Sequence, residues 1–191
     1  MKKIFLLIVF FLLPMVVSAA GDEGEASLVI DCQAIPEWSL PIEGYQLNLP
    51  HVFCGQPGKR DRAKGFHSMP DGIKPSSFIA GKLADKANGA GVYTLEQVEL
   101  SFAGKRYQKS FSSMFPNHCS AEQVIGSIIY SVKNSGGNCA SPGWAKCGEN
   151  APSAGGEQYC LAADGSTFTI ATAVLPREKS KINTGFPIYT R

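Results

Sequence analysis

Residues 92–132 read VYTLEQVELSFAGKRYQKSFSSMFPNHCSAEQVIGSIIYSV and predict a β-hairpin followed by a helix. The alternating segment Val98–Phe102 is typical of a strand with one buried face, and Ala103-Gly104 follows it as a turn. Residues 106–114 then return as the second strand. Ser120–Gln123 has the pattern of a capping box, and apolar residues at helical spacing follow it. The stretch therefore predicts an antiparallel hairpin beside one helix.

Outside this stretch the sequence predicts a long loop and a second hairpin. The helix is expected to end at Gly136-Gly137, and residues 137–157, rich in Gly, Ser, Pro, Asn and Cys, are expected to form a loop. Residues 158–163 and 166–175 are strand-like runs separated by Asp164-Gly165, which favours a tight turn. The expected fold class is α+β, a single domain of antiparallel β-sheet hairpins with packed helices.

Composition and charge limit the classes of protein to which the chain can belong. The chain has 191 residues, of which 44% are hydrophobic and 18% charged, which suits one globular domain and excludes wholesale disorder. Residues 21–50 carry six acids and no base, whereas residues 51–109 carry ten bases and five acids. Such a basic stretch attracts polyanions, including nucleic acids, although a solvated charged face would give the same count.

The N-terminus has the three parts of an export signal. Met1-Lys2-Lys3 is positively charged, residues 4–17 are apolar, and Ser18-Ala19-Ala20 supplies small residues for cleavage. The apolar run has 14 residues, and because spanning a bilayer takes about 20, we favour a cleaved signal over an anchor. The predicted location is secreted or periplasmic, without membrane attachment after cleavage. The predicted organisation is a signal peptide (1–20), an acidic segment (21–44) and a folded domain (45–191).

The cysteines agree with an oxidising compartment. We predict three disulfides among the six cysteines of the mature region, which are Cys32, Cys54, Cys119, Cys139, Cys147 and Cys160. Sequence does not choose the pairing, although Cys139 and Cys147 flank a tight segment and suit a local bridge. A zinc site is a weak alternative, because no C-x-x-C pair occurs.

Two histidines stand at the ends of one basic stretch. His51 and His67 bracket it, and because histidine titrates at about pH 6.5, two imidazoles that meet at one phosphate can act as base and acid. The third histidine, His118, follows a Phe-Pro corner, where exposure or packing at the start of the helix is favoured. We predict no metal site, because the spacing of the three histidines does not support ligation.

The segments around these histidines resemble the motifs of bacterial EndoU-type ribonucleases. His51–Gly55 matches the family pattern H-[IV]-x-x-G, and Gly65–Ser68 matches G-[GF]-H-S. Residues 88–93, NGAGVY, match the Gly-Val-Tyr that opens the family's hairpin, and Lys109–Pro116 is similar to K-x-x-S-x-F-F-P. Residues 168–176, FTIATAVLP, are similar to the I-x-T-A-Y-P strand near the end of the domain.

The resemblance implies a catalytic set of His51, His67 and Lys109. One imidazole would remove the 2′-OH proton of RNA, the other would protonate the departing 5′-oxygen, and Lys109 would stabilise the charge on the phosphorane. The implied substrate is single-stranded RNA rather than DNA, the products are a 2′,3′-cyclic phosphate and a 5′-OH, and no cofactor is needed. Thr172, on the last motif, and Ser110 are expected to contact the substrate.

Two features depart from the family pattern. Val174 stands where the last motif has an aromatic residue, and an additional Leu175 precedes Pro176. Six cysteines are also unusual for toxin domains of this family that act in a cytoplasm, and they suit an oxidising space.

Other functions stay open at this point. The same scaffold could serve as a secreted, disulfide-stabilised binding protein that holds RNA, another polyanion or a protein without cleavage, or the chain could be an unrelated envelope protein. If it is a ribonuclease, it is expected either to be a toxin or effector with a cognate inhibitor protein, or to scavenge extracellular RNA. The sequence assigns neither the base preference, nor the oligomeric state, nor which histidine is the acid.

Overall fold

The structure is a computed structural model and describes residues 30–191. The predicted signal peptide and the first part of the acidic segment lie outside these residues. In chain order the elements are β1 (Gln46–Leu47), β2 (Gln56–Pro57), β3 (Ala63–Lys64), β4 (Phe78–Asp85), β5 (Tyr93–Phe102), β6 (Lys105–Met114), α1 (Ala121–Lys133), β7 (Gly137–Asn138), β8 (Lys146–Glu149), β9 (Thr169–Val174) and β10 (Lys181–Pro187). The strand pairs are antiparallel except β1 with β10. The predicted α+β class is confirmed.

The first predicted hairpin is confirmed as β5 and β6. The two strands pair from Tyr93 with Met114 to Phe102 with Lys105. Ala103 and Gly104 form the turn, and both have positive φ, as a two-residue turn between twisted strands requires. β4 adds to the other edge of β5, so that the hairpin becomes a three-stranded sheet.

The predicted helix and its capping box are also confirmed. The Ser120 hydroxyl accepts a hydrogen bond from the Gln123 main chain, and the Gln123 side chain accepts one from the Ser120 main chain. The helix ends at Lys133, with Asn134 as its C-cap, before the predicted glycine pair. Its apolar face, which includes Val124 and Ile128, packs on a five-stranded sheet of order β1-β10-β9-β8-β7.

The predicted second hairpin is wrong. Residues 158–163 form no strand, and both edges of β9 are taken by β8 and β10. The physical reason lies at Cys160, whose main-chain N–H donates to the hydroxyl of Ser127 on α1 and whose carbonyl accepts from the Asn150 amide. These bonds hold the segment against the helix, although Asp164-Gly165 still forms a tight turn.

The predicted loop 137–157 is only partly a loop. It contains β7 and β8, and Lys146 to Glu149 pair with the residues from Thr172 back to Thr169 of β9. Main-chain pairing of this kind needs no apolar side chains, so the Gly-rich composition did not indicate it.

The prediction of three disulfides is confirmed, and the pairing that the sequence left open is Cys32–Cys54, Cys119–Cys160 and Cys139–Cys147. Cys119–Cys160 ties the start of α1 to the segment before β9. Within residues 30–191, no helix is long and apolar enough to cross a membrane.

Most of the apolar core consists of two clusters. One cluster lies between α1 and the five-stranded sheet, and the other packs Phe66 and Met69 against β5 and β6. The two sheets meet where the Ser113 hydroxyl on β6 donates to the carbonyl of Pro187 on β10. The segment carrying His67 is fixed there as well, because its carbonyl accepts from the Phe115 main chain at 2.8 Å.

Candidate active site

The cleft between β6 and β10 has a volume of about 520 Å³ and brings both bracketing histidines and Lys109 together. The centroids of the His51 and His67 rings lie 6.2 Å apart. Both rings are largely buried, with 8% of each residue exposed. The residues that line the cleft are His51, Lys64, Gly65, His67, Lys109, Phe111, Ser112, Ser113, Trp144, Ala173, Asn183, Thr184 and Phe186.

His51 lies on a five-residue π-helical turn, Pro50–Cys54. Its main-chain N–H donates to the side-chain oxygen of Asn48, and its Nδ1 lies 3.0 Å from Oε1 of Gln56. Because an amide oxygen only accepts, Nδ1 carries the proton and Nε2 keeps its lone pair in the neutral ring. Burial lowers the pKa of His51, the bond to Gln56 opposes this, and the charges of Lys109 and Lys64 lower it further.

His67 has a matching arrangement on the other side of the cleft. Its Nδ1 donates to the main-chain carbonyl of Ser113 at 3.0 Å, and the Ser112 hydroxyl lies 3.3 Å from the same nitrogen. Burial, followed by the charges of Lys109 and His51, holds the pKa of His67 well below its ordinary value of 6.5. Within residues 30–191, Nε2 of neither ring has a hydrogen-bond partner, so each can exchange a proton with a bound substrate.

Gly65 joins the two histidine segments. It has a φ of +69°, and a Cβ at this position would lie 2.0 Å from the carbonyl oxygen of His51. That carbonyl accepts from the Phe66 main chain at 2.7 Å, and the His67 main chain donates to Val52 at the same distance. Only a glycine permits this close approach.

Lys109 reaches the cleft from the middle of β6. Its ammonium group donates to the carbonyl of Gly65 and, at 2.8 Å, to the hydroxyl of Ser112, which in turn donates to the carbonyl of Phe66. Burial lowers the pKa of Lys109 from 10.5 to about 7. Among residues 30–191, no carboxylate pairs with this lysine, so its charge remains available to an anion in the cleft.

The sequence model of the bacterial EndoU nuclease family matches residues 46–189. The chain belongs to this family. Searches of curated proteins and of solved structures give no match. A nuclease function follows from membership in this family.

A second match to the last motif lies further along the chain. Ile182-Asn183-Thr184-Gly185-Phe186-Pro187 has the I-x-T-x-aromatic-P pattern without an insertion. Thr184 and Phe186 line the cleft, and the Phe186 ring stacks on His67 with centroids 4.9 Å apart. In this second match, Phe186 supplies the aromatic residue that the earlier match lacks at Val174. The ungapped match was the signal that could have found both residues.

Thr184 has an unpartnered hydroxyl. Among residues 30–191 only two buried side-chain oxygens lack a hydrogen-bond partner, and these are Ser68 Oγ and Thr184 Oγ1. Buried hydroxyls are nearly always bonded, so Thr184 Oγ1 is a free donor and acceptor at the wall of the cleft.

The two residues expected to contact substrate lie outside the cleft lining. Thr172 is buried and donates to the carbonyl of Lys146 on β8 at 3.2 Å. Ser110 is exposed on β6 and lines a neighbouring groove. His118 is exposed before α1, where its Nε2 lies 2.9 Å from the carbonyl of Leu161, and it lines a different cavity.

Within the described part of the chain, no three His, Cys, Asp or Glu side chains are grouped as ligands of one ion.

Proposed function

We propose that this EndoU nuclease is an endoribonuclease that cleaves single-stranded RNA by transphosphorylation. The observation that carries the proposal is the pairing of His51 and His67, which line one cleft with ring centroids 6.2 Å apart. Each ring has its Nδ1 bound to the protein and its Nε2 free. Two imidazoles in this arrangement can both reach the oxygens of a single phosphodiester, over hydrogen bonds of about 2.6–3.2 Å.

In this reaction, one of the two histidines is the base and the other is the acid. Burial lowers the pKa of both rings, so a neutral ring is available to accept a proton. Nε2 of the base takes the proton of the 2′-OH, and the 2′-oxygen forms a bond to phosphorus. The bond from phosphorus to the 5′-oxygen breaks, and that oxygen receives the proton of the acid. The products are a 2′,3′-cyclic phosphate and a 5′-OH.

Lys109 stabilises the phosphorane in this scheme. Its ammonium group is held by Gly65 and Ser112 and has no carboxylate partner within residues 30–191. A cation fixed in a desolvated site interacts strongly with charge that develops on phosphate oxygens. Thr184 supplies a further hydrogen bond, and the exposed ring of Trp144, whose centroid lies 6.1 Å from that of Phe186, is available to a base.

The test is cleavage of a short single-stranded RNA and its deoxy analogue by the oxidised protein in the presence of a chelator. We expect cyclic phosphate ends from the RNA and no cleavage of the DNA. His51→Ala and His67→Ala should each lower kcat/KM by about 10²- to 10⁴-fold. His118→Ala is the matched control and should keep full activity, because this ring is exposed and lines a different cavity.

Some results would contradict the proposal. RNA that stays intact with the wild-type protein, also with added manganese, would favour the alternative of a binding protein that does not cleave. Cleavage of DNA at a similar rate would exclude the 2′-OH as the nucleophile.

We also propose that the protein acts outside the cytoplasm of the cell that makes it. The support is the pattern of residues 1–20 together with the three disulfides. Residues 45–191 would then be the nuclease domain of an exported toxin or effector. If the producing cells grow only when they also contain an inhibitor protein, the toxin role gains support. If the protein is harmless when folded in a cytoplasm, this role is excluded.

A further inference from the structure

A second groove continues from the cleft along β6. It has a volume of about 450 Å³ and shares Lys64, Lys109 and Phe111 with the cleft. Its far end is formed by Lys59 and Arg62. We call it the basic groove, defined by Lys59, Arg62, Lys64, Ser110 and Phe111.

The charges of the basic groove are uncompensated. Lys59, Arg62 and Lys64 are exposed, and within residues 30–191 none of them forms an ion pair. No carboxylate lines the groove. The single acid of the loop, Asp61, forms an ion pair with Lys105 at 2.7 Å.

The backbone that carries these cations is fixed. The Gly58 main chain donates to the carbonyl of Arg62 at 2.7 Å, and the Arg62 main chain donates to Lys59 at 3.2 Å. Arg62 also forms a β-bridge with Gln108 on β6. The backbone therefore fixes the positions at which the three cationic residues lie beside β6, the strand that carries Lys109.

Phe111 marks the border between the cleft and the groove. It is 52% exposed, although it is a large apolar residue in the middle of a strand. Nucleic-acid bases stack on aromatic side chains, and grooves that bind single strands combine such platforms with cations that follow the phosphates.

We propose that the basic groove binds the part of the RNA strand that extends beyond the scissile phosphate. Phosphates lie along Lys64, Arg62 and Lys59, and a base stacks on Phe111. The groove is continuous with the cleft and its cations complement the phosphates of a strand, and both features favour RNA as the occupant. The identity of the strand as substrate rests on the proposed ribonuclease function, whereas the groove itself is tested by binding.

The experiment measures binding of a 2′-O-methylated decanucleotide, which cannot be cleaved, to the full-length chain over a range of salt concentrations. The variant Lys59→Ala/Arg62→Ala removes two charges at the far end of the groove. If each contacts one phosphate, the salt slope of log K should fall by about 1.4, which is about a 25-fold loss of affinity at about 0.1 M salt. Lys82→Ala/Lys86→Ala removes two exposed charges on and beside β4 that line neither cavity and is the matched control, with no comparable loss expected.

The outcomes separate this proposal from the ribonuclease function. An unchanged affinity and salt slope in Lys59→Ala/Arg62→Ala would overturn the proposal that the groove binds RNA. An equal loss of affinity in the control variant, or a wild-type chain that does not bind the strand, would overturn it as well. Binding that depends on Lys59 and Arg62, in a protein that leaves unmodified RNA intact, would support the groove and exclude the ribonuclease. In an active enzyme, the double variant should lose at least about tenfold more kcat/KM on a decanucleotide than on a dinucleotide.

Discussion

Replacing Lys109 by methionine should lower activity and stabilise the protein at the same time, with a stabilisation that depends on pH. Burial lowers the pKa of Lys109 in the folded protein to about 7, whereas the unfolded chain titrates at 10.5. Between these two values the unfolded state binds more protons, so the stability of the wild-type protein rises with pH through this window. Below pH 7 the buried cation opposes folding fully.

The size of the effect follows from the two pKa values. Each unit of difference corresponds to about 1.4 kcal/mol, so the buried ammonium disfavours folding by roughly 4–5 kcal/mol at pH 6 and roughly 2 kcal/mol at pH 9. Methionine has no charge, and the variant lacks the hydrogen bonds of Lys109 to Gly65 and Ser112 at both pH values. The stabilisation of the variant relative to the wild type should therefore be about 2–3 kcal/mol larger at pH 6 than at pH 9. This corresponds to about 5–10 °C in Tm.

The assay is thermal unfolding of Lys109→Met and the wild type at the two pH values with the disulfides intact. Lys82→Met, an exposed lysine on β4, is the control and should give the same small difference at both. The cleavage of RNA by Lys109→Met should fall by about 10²- to 10³-fold, as for loss of a transition-state donor. A Tm difference that is equal at pH 6 and pH 9 would refute the reasoning, because Lys109 would then be solvated.

Three further variants test the walls of the cleft. Thr184→Val should raise stability by about 1 kcal/mol, because it removes an unpartnered hydroxyl, and should lower RNA cleavage about tenfold or more; Thr172→Val should leave cleavage unaffected. Gly65→Ala should lower both Tm and kcat/KM, because its Cβ would collide with the carbonyl of the first histidine, whereas Gly136→Ala, which has open space, should change neither. Trp144→Ala should raise KM for RNA about tenfold with little change in Tm, because the side chain is 65% exposed at the cleft; an unchanged KM would remove it from the substrate site.

Local patterns predicted the parts of the fold that local chemistry determines. The alternating pattern of residues 98–102 and the capping box at Ser120 depend only on residues a few positions away in the sequence. The observed β5–β6 hairpin and α1 agree with both. β8 and β10 were not predicted, because their strand pairing depends on partners distant in sequence. The strand expected at 158–163 fails for the same reason, since a disulfide and side-chain hydrogen bonds to Cys160 outweigh its local preference.

The site shows the same division. His51, His67 and Lys109 could be named from their motifs, and the fold brings all three to one cleft. Thr184 and Phe186 were missed because residues 168–176 offered an earlier, gapped match to the last motif. Both matches lie on neighbouring strands, and Gly185 is paired with Thr172. The ungapped match at residues 182–187 was the signal in the sequence, and the structure has Thr184 and Phe186 in the lining of the cleft.

Two of the three disulfides stabilise walls of the cleft that have little sheet pairing. Cys54 ends the π-helical turn that carries His51, and its partner Cys32 lies 22 residues earlier. Cys139–Cys147 closes the loop that presents Trp144 beside the cleft. A bridge that closes a loop of about 15 residues lowers the entropy of the unfolded chain and so stabilises the fold by about 3 kcal/mol. The two loops closed here have lengths of that order. The covalent links therefore hold the turn that carries His51 and the exposed aromatic wall in place where main-chain pairing is short or absent.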